Sequence, residues 1–544
     1  MRVRSAPTAF ALLSALALAS AGSWPAPAAG AEERGWVVDK VRFEPVGDGG
    51  GTVTAEGIGT YRGAIEVVPG GGGLAVINDV PVEDYVKGVA EVPPQWPAAA
   101  QRAQAIAART YALHQKANGV DSPAKAAGAD ICPTQDCQVY IGVASEQRPS
   151  GANWVAAVNA TAGQVLLSGG KPILALYSSS NGGRSLSGGK PYLRAVNDPD
   201  DARSALNRWS HAVPLPALVP LLGVAPPFTL VNVGREGGAV MFTVRDPAGV
   251  LSQRSMAPED FRARANGALG APAGLPSALP SPRFTLKTAG DKVVFEGGGW
   301  GHGVGMSQHG AYGKAMRGMS ASDILAAYYG GIRPTTLGAD QLPATIRVAV
   351  ALGRGGVTVS PERHFRVVSG SGEPLGHLEV GRWRVVPAKG GVRVVPPEGR
   401  DRPLAAEAAV VEPPPPGLDT PLLRFDLSAP AVVTVRYVTP TGLPGALPPK
   451  VVDAGEVVEP LPRPSTRGDY RVMIEADGGP DRFLSVPLVL RVEGPDRLQV
   501  RLAGAGPPQR AGSSRAPVVA LAALLLAATT YGQARARARR RGRG

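Results

Sequence analysis

Alternating apolar and polar positions, interrupted by glycine turns, characterise the first part of this chain. Between residues 36 and 77 the segments WVVDKVRFEP, TVTAEGIGTYRG and AIEVVPGGGGLAVIN follow this pattern, which predicts short β-strands. An alanine-rich stretch from about residue 97 to 117 has helical spacing instead, and Pro97 suits the first position of a helix. Its stripe of small and apolar residues consists of Ala99, Ala103, Ile106, Thr110 and Leu113.

The middle of the chain mixes both patterns. Residues 154–177 predict a helix and two strands, and the less regular residues 198–282 contain one clear strand, VMFTVRD. Residues 293–331 then predict a strand, a glycine-rich loop and two helices. No repeat array is present in the sequence.

Beyond residue 343 the chain returns to strands separated by turns. Residues 344–398 predict a small β domain, and residues 399–421, which include EPPPPG, predict a proline-rich linker. Residues 422–494 have the strand spacing of an immunoglobulin-like β-sandwich. Because neither β segment contains a cluster of polar residues, we expect spacer or wall-contact roles for them.

Both ends of the chain indicate export and anchoring. Residues 1–31 resemble a signal peptide, with two arginines, an apolar run and a site of small residues. At the other end, a tether over 495–515 precedes an uncharged apolar stretch at 516–532 and a basic tail at 533–544. This pattern predicts a short transmembrane helix with a cytoplasmic tail, and a cleaved or interfacial segment is the alternative. The expectation is a single-pass membrane protein whose bulk faces the cell wall.

The charge of the chain argues against one class of partner. The formal net charge is +13, but six positive charges lie in the basic tail and two in the signal peptide, which leaves +5 for the body. That charge is too small to indicate nucleic-acid binding, although it is compatible with a polyanionic wall.

The two cysteines of the chain, Cys132 and Cys137, lie in the short segment ICPTQDC. In an oxidising compartment two thiols this close form a disulfide, whereas a zinc site would need two further ligands. No histidine occurs between His114 and His211. The sequence therefore favours the disulfide and leaves zinc as the alternative.

Glu91 is the most informative single residue. It is the one acidic side chain between Tyr85 and Asp121, and valine, proline and Trp96 follow it. Apolar surroundings raise the pKa of a carboxyl, so this group could donate a proton and later accept one. A helix cap or an ion pair is the structural alternative.

Six motifs resemble one known family in their order and spacing. They are VEDYVKGV, AEVPPQWP, AQAIAARTYAL, CQVYIG, SSSNGGRS and GWGHGVGMSQHGAYGKA. Together they resemble the SpoIID/LytB domain (stage II sporulation protein D and the amidase-enhancer proteins) over residues 36–333. The fold class expected from this resemblance is α+β: a SpoIID/LytB-like catalytic domain, followed by the small β domain, the β-sandwich and the C-terminal transmembrane helix.

The resemblance implies a lytic transglycosylase that acts on peptidoglycan glycan strands without stem peptides. By motif position, Glu91 is its catalytic acid and Trp96 the tryptophan that follows. Such an enzyme needs one carboxyl and no cofactor, whereas an ordinary glycosidase needs two carboxyls. Some relatives bind zinc near the motif that contains Cys132 and Cys137, but the nearby histidines are missing here. The LytB branch implies the alternative function, a non-catalytic wall-binding protein that enhances a cell-wall amidase.

Further residues of these motifs are candidates for binding the glycan. They could hydrogen-bond or stack on sugars, and each also has a structural interpretation, such as an ion pair, a core aromatic or a connecting turn. No metal site is expected at the glycine-rich loop, because its two histidines lack a usual ligand spacing. The candidates are Trp96, Arg109, Tyr111, Gln138, Tyr140, Ser179, Asn181, Trp300, His302 and Gln308.

Overall fold

The computed structural model describes most of the chain between residues 35 and 502. The gaps within this range are 46–50, 120–121, 223–227, 237, 362–364, 400–403, 413–419, 465, 479–482 and 495–496. The predicted signal peptide, the predicted helix 516–532 and the basic tail lie outside the described residues. Among the helices within them, none is long and apolar enough to cross a membrane.

Two six-stranded antiparallel sheets form the base of the first domain. In spatial order the first sheet contains Trp36–Val38, Gly391–Val395, Trp383–Ala388, Val357–Pro361, Thr52–Ala55 and Gly59–Arg62. The second contains Thr345–Arg354, Gly73–Pro81, Ala64–Gly70, Val41–Pro45, Phe365–Ser369 and Pro374–Glu379. The alternating apolar side chains meet between the sheets, where Phe43 and Trp383 pack edge to face.

These sheets join two segments that are far apart in the sequence. Trp36 pairs with Val394, and Pro81 pairs with Thr345. The sequence pattern predicts a separate small β domain over residues 344–398, whereas the structure places these strands in the same sheets as residues 36–81. Alternation shows which face of a strand is buried but not which strand is its neighbour, so this pairing was not visible in the sequence.

A group of helices covers one side of the sheets. In chain order the α-helices are α1 (Val82–Gly88), α2 (Ala98–Asn118), α3 (Pro123–Ala126), α4 (Ala144–Gln147), α5 (Gly151–Asn159), α6 (Pro258–Ala268), α7 (Gln308–Met316) and α8 (Ala321–Tyr328). The prediction of a helix over 97–117 is confirmed by α2, which follows Pro97 directly. Its small alanine side chains allow close packing, and α5, α7 and α8 all contact it.

An inserted lobe leaves and re-enters this domain through one antiparallel pair, Trp209 with Gly297. Its strands form two three-stranded sheets, Trp209–Pro214 with Lys292–Gly297 and Phe284–Ala289, and Thr229–Glu236 with Ala239–Arg245 and Leu251–Met256. Together with α6, these sheets enclose a separate core around Phe242, Phe261 and Phe295. The 3₁₀ helix Leu215–Leu222 belongs to the lobe, and the 3₁₀ helix Pro199–Arg203 precedes it.

Short strands connect the helices to the rest of the domain. The pairs are Gln164–Val165 with Thr335–Thr336, Leu167–Ser168 with Lys171–Pro172, and Tyr177–Ser178 with Met306–Ser307. The last pair is parallel and brings the SSSNGG motif beside the glycine-rich loop.

The C-terminal strands form a β-sandwich with a separate core around Phe425 and Ile474. One sheet contains Ala406–Glu412, Leu422–Leu427 and Gly455–Pro460. The other contains Pro444–Ala446, Ala431–Val438, Gly468–Asp477, Phe483–Gly494 and Arg497–Leu502, and Lys450–Val452 also pairs with Ala431–Val438. The predicted linker 399–421 therefore contains a strand of the sandwich, since Ala406 pairs with Leu427.

The expected fold class is wrong and needs correction. The described chain is mostly β with some helices, not an α+β domain with appended β domains and a transmembrane helix. Strands were missed where their sequence is polar. Leu251–Met256, for example, is almost fully exposed, yet its backbone completes a sheet by pairing with Ala239–Arg245. Main-chain hydrogen bonds therefore define this strand without an apolar pattern.

Candidate functional site

Glu91 lies in the loop after α1, and the backbone of a second segment holds its carboxylate. This loop runs beside the residues that follow the cysteine segment, because Ala90 N–H donates to Val139 O at 2.8 Å. Val139 N–H in turn donates to Glu91 Oε1 at 2.6 Å. The position of one carboxylate oxygen is therefore set by the main chain.

The other carboxylate oxygen faces the start of α7. Gln308, the first residue of that helix, donates from Nε2 to Glu91 Oε2 at 3.3 Å and to Gln104 Oε1 at 3.5 Å. Burial raises the pKa of the Glu91 carboxyl, while the hydrogen bonds from Val139 and Gln308 oppose that shift. Glu91 nevertheless remains partly accessible to solvent. It is therefore a desolvated carboxyl that a ligand can reach.

Three tyrosines surround this carboxyl. Burial is the main cause that raises the pKa of Tyr85, Tyr111 and Tyr177, and the negative charge of Glu91 adds to it in each case. Gln138 connects two of them, since it donates to Tyr85 Oη at 2.8 Å and accepts from Tyr177 Oη at 2.6 Å. Gln138 is fully buried, so it orients the tyrosines instead of presenting its amide to solvent.

Trp96 belongs to an aromatic cluster beside the start of α7. Its ring lies 5.2 Å from the ring of His309 and 5.1 Å from that of Tyr312, centre to centre. Because His309 follows Gln308 directly, this cluster lies at the same end of α7 as the residue that contacts Glu91. The half-exposed Trp96 ring offers a surface on which a sugar can stack.

Two candidate residues are engaged inside the protein. Arg109 is fully buried and makes a two-pronged ion pair with Glu83, at 2.9 and 2.5 Å. Tyr140 is also buried, where it donates to Asn78 Oδ1 at 2.6 Å and stacks between Tyr61 and Tyr85. The structure therefore gives both side chains protein partners, and Glu91 is not among the partners described for them.

The SSSNGG turn contacts the start of α7. Ser179 presents its carbonyl oxygen, which accepts from the His309 N–H at 3.0 Å. Asn181 is buried, and its side-chain amide donates to Asp198 Oδ2 at 2.9 Å. Asp198 also forms a buried ion pair with Lys314 of α7. The turn therefore fixes the orientation of the helix that contributes Gln308.

Asp201 binds the same turn through hydrogen bonds. It is completely buried and accepts hydrogen bonds from the hydroxyls of Ser180 and Ser307, from Asn207 and from the backbone N–H groups of residues 181–183. These donors offset the cost of burying the carboxylate. Asp201 is a structural centre between the turn and the glycine-rich loop.

The glycine-rich loop packs against this turn, with Trp300 and Ser180 paired through their backbones. His302 is mostly buried. Its Nε2 lies 2.9 Å from Tyr177 O, and its Nδ1 accepts from Val304 N–H at 3.1 Å. Burial lowers the pKa of His302, so a neutral ring with both nitrogens occupied shapes the loop.

The structure joins Cys132 and Cys137 in a disulfide with Cα atoms 5.6 Å apart. The loop that it closes leads directly into Gln138 and Val139, the residues that orient the tyrosines and hold Glu91. Within the described part of the chain, no three His, Cys, Asp or Glu side chains are arranged to hold a metal ion.

Sequence reasoning missed five residues that build this site. A signal existed for two of them, since a spacing of three places His309 and Tyr312 on one face of a helix. For Gln104 and for two of the three aspartates of the NDPDD segment, residue type and spacing gave no such signal, because most of their partners lie in other segments of the chain. The five residues are Gln104, Asp198, Asp201, His309 and Tyr312.

Comparison with known proteins finds similar sequences. Residues 70–167, which include the Glu91 loop and α2, match the profile of the family described as SpoIID, Stage II sporulation protein. The chain is 29% identical to Stage II sporulation protein D of Bacillus amyloliquefaciens over 277 residues, 47% of this chain and 74% of that protein.

Two further relatives cover similar shares of this chain. An uncharacterized protein of Brachyspira hyodysenteriae is 29% identical over 294 residues, 50% of this chain and 71% of its own length. The amidase enhancer of Bacillus subtilis is 29% identical over 45% of this chain and 39% of its own length. The six motifs in order, the match to the family model and these relatives together support the similarity of the chain to the SpoIID/LytB family.

Proposed function

We propose that this protein is a lytic transglycosylase that cleaves peptide-free peptidoglycan glycan strands and leaves 1,6-anhydro-muramyl ends, with Glu91 as general acid and base. The proposal extends the cell-wall role that similarity to the SpoIID/LytB family supports. The observation that carries it is the environment of Glu91: a partly accessible carboxyl whose pKa is raised by burial. Among the described residues, its hydrogen bonds come from one backbone N–H and one glutamine amide, and not from a cation.

This environment suits a reaction with one carboxyl. Protonated Glu91 donates its proton to the glycosidic oxygen as the C1–O bond breaks, which leaves a carboxylate. The carboxylate then removes the proton of the C6 hydroxyl of the same muramyl residue, whose oxygen attacks C1. The bond formed closes the anhydro ring, the proton returns to Glu91, and no water is consumed.

The side-chain amides of Gln104 and Gln308 can adapt, by rotation, to either protonation state of Glu91. In the present orientation Gln308 donates to the Glu91 carboxylate, and Gln104 Nε2 is buried without a hydrogen-bond partner among the described residues. When both amides rotate, Gln308 Oε1 accepts from the protonated carboxyl and from Gln104 Nε2. The pair therefore provides one arrangement for each protonation state of Glu91.

The alternative function is that of a wall-binding protein that enhances an amidase without cutting glycan. The relative named amidase enhancer favours it. The two functions share the fold and differ in whether Glu91 transfers a proton.

The test is incubation of the full chain, and of its Glu91→Gln variant, with denuded glycan strands, followed by mass spectrometry. We expect anhydro-muramyl products without added metal, and a rate lower by roughly 10²–10⁴ for the variant. The matched control is Glu407→Gln, which changes an exposed glutamate of the β-sandwich and should cut normally. Products with ordinary reducing ends would indicate a hydrolase. Absence of cleavage, with stimulation of a purified N-acetylmuramoyl-L-alanine amidase, would establish the enhancer.

A further inference from the structure

An arginine-lined groove lies where the inserted lobe meets the SSSNGG turn and the glycine-rich loop. It is open to solvent and has a volume of about 850 Å³. Three arginines and one carboxylate contribute the charges of its lining, and Trp209 and Phe284 contribute aromatic surface. The charged lining residues are Arg208, Arg235, Arg283 and Glu296.

Backbone carbonyls hold these arginines in place. Arg208 donates to Gly182 O at 2.7 Å, Arg235 donates to Phe284 O, and Arg283 donates to the carbonyls of residues 181 and 184. Each of these bonds uses Nη1, and a guanidinium has five N–H donors, so donors remain for a ligand.

Within the described residues the arginines of the groove have no direct ion-pair partner, although the buried Asp201 lies near enough for its charge to act on Arg283. In the described part of the chain, neither Glu296 nor any other carboxylate lies within ion-pair distance of these three arginines. Burial is the main cause that lowers the pKa of Arg283; the charges of Arg208 and Arg184 add to this shift, and the charge of Asp201 opposes it. An anion would relieve this repulsion, and a carboxylate matches the planar fork of a guanidinium.

The groove is connected to Glu91 through the elements of the candidate site. Glu91 contacts Gln308, the next residue donates to Ser179 O, and Asn181 O accepts from Arg283. The two-residue interval from 179 to 181 spans at most about 7 Å. A polymer bound at Glu91 therefore reaches the groove within a few sugar units.

The chemistry of the glycan supplies the matching anion. When the stem peptide is removed at its amide bond to the muramyl lactyl group, that group becomes a free carboxylate. A strand that keeps its peptides has an uncharged amide there. We propose that this groove binds the free lactyl carboxylates of denuded strands and selects them over peptide-bearing strands; this inference rests on the proposed function.

The test measures binding separately from cleavage. The Glu91→Gln chain is titrated with denuded strands and with the same strands after their carboxylates have been coupled to methylamine. The groove variant adds Arg208→Gln and Arg235→Gln, both at exposed positions, and the matched control adds Arg245→Gln, an exposed arginine of the same lobe outside the groove. Folding of every variant is checked by its melting temperature.

We expect the groove variant to bind denuded strands about tenfold more weakly, as for the loss of two screened charge pairs, while the control binds normally. Methylamide strands should bind the parent chain with the same tenfold loss and should not distinguish it from the groove variant. Added salt should weaken only the binding that depends on the groove.

Equal binding of denuded and methylamide strands would overturn the inference. A groove variant that loses affinity for polyglycerol phosphate but keeps its affinity for denuded glycan would also overturn it, in favour of a phosphate polymer. Cleavage by the wild-type chain is scored independently. If it cleaves strands and the binding differences are absent, the inference fails and the proposed function stands. If it cleaves nothing but the charge dependence is present, the proposed function fails and the groove stands.

Discussion

Replacing Arg109 by methionine should destabilise the first domain without directly removing a glycan contact. The arginine is fully buried, its fork holds both oxygens of Glu83, and its Nη1 donates to Gln164 O at 3.1 Å. Methionine fills a similar volume but leaves the Glu83 carboxylate and the Gln164 carbonyl without their donor. The substitution therefore tests whether Arg109 is a structural residue or a sugar ligand.

The expected loss of unfolding free energy depends on how exposed Glu83 is. Breaking a buried ion pair costs roughly 3–5 kcal/mol. The Glu83 side chain is 30% exposed and keeps the hydrogen bond from Gly163 N–H, so water and this bond offset part of the loss. We therefore expect a loss at the lower end of that range, about 3 kcal/mol. For a domain of some 360 residues, this loss lowers the melting temperature by about 4 °C.

Scanning calorimetry of the full chain measures this shift. The β-sandwich has its own core, so its transition serves as an internal reference. Adding Glu83→Gln to Arg109→Met should recover part of the lost stability, because it removes the unpaired carboxylate. An unchanged melting temperature, combined with a raised KM for denuded glycan, would refute this reasoning and make Arg109 a sugar ligand.

Three further predictions concern the pH dependence of the site and the disulfide. Gln308→Leu removes a hydrogen bond that lowers the Glu91 pKa, so the alkaline limb of the pH–activity profile should move to higher pH; a shift to lower pH would contradict the assignment. Since burial raises the folded-state pKa of Glu91, its charged form destabilises the fold as pH rises, and Glu91→Gln should melt above the wild type at pH 7 but not at pH 3. A lower melting temperature at pH 7 would contradict this sign. Reduction of the Cys132–Cys137 disulfide, a loop with a sequence separation of 5, should cost about 2 kcal/mol, and a thiol probe should react only after reduction. Reaction before reduction, with stoichiometric zinc by elemental analysis, would indicate a metal site.

The sequence was informative where structure depends on local pattern. The proline and alanines of α2 predicted that helix, and the order of six motifs indicated the resemblance to the SpoIID/LytB family that the comparisons support. The contact between Glu91 and Gln308 joins residues 217 positions apart, and only the resemblance brought both onto the list of candidates. Arg109 illustrates the limit: its residue type is compatible with a sugar ligand or an ion pair, and only the position of Glu83 distinguishes them.

The features that could not be predicted are contacts between residues far apart in the sequence. The sheets that combine residues 36–81 with residues 345–395 share no local signal, since a strand pattern does not encode its neighbour. The inserted lobe was read as irregular because strands such as Leu251–Met256 bury little apolar surface. The role of Asp201 could not be predicted, because it depends on hydrogen-bond donors from three separate segments of the chain.

The pairing of the first strand with the last strands of its domain sets the smallest fragment that can fold. Because Trp36–Val38 pairs with Gly391–Val395 and Gly73–Pro81 with Thr345–Arg354, a protein cut at residue 333 leaves Gly73–Pro81 as an unpaired sheet edge. Expression of the region that resembles the family, without residues 345–395, should therefore yield aggregated material. For the same reason the domain has many contacts between residues far apart in the sequence and should fold slowly, since Trp36–Val38 must find Gly391–Val395 before the first sheet is complete.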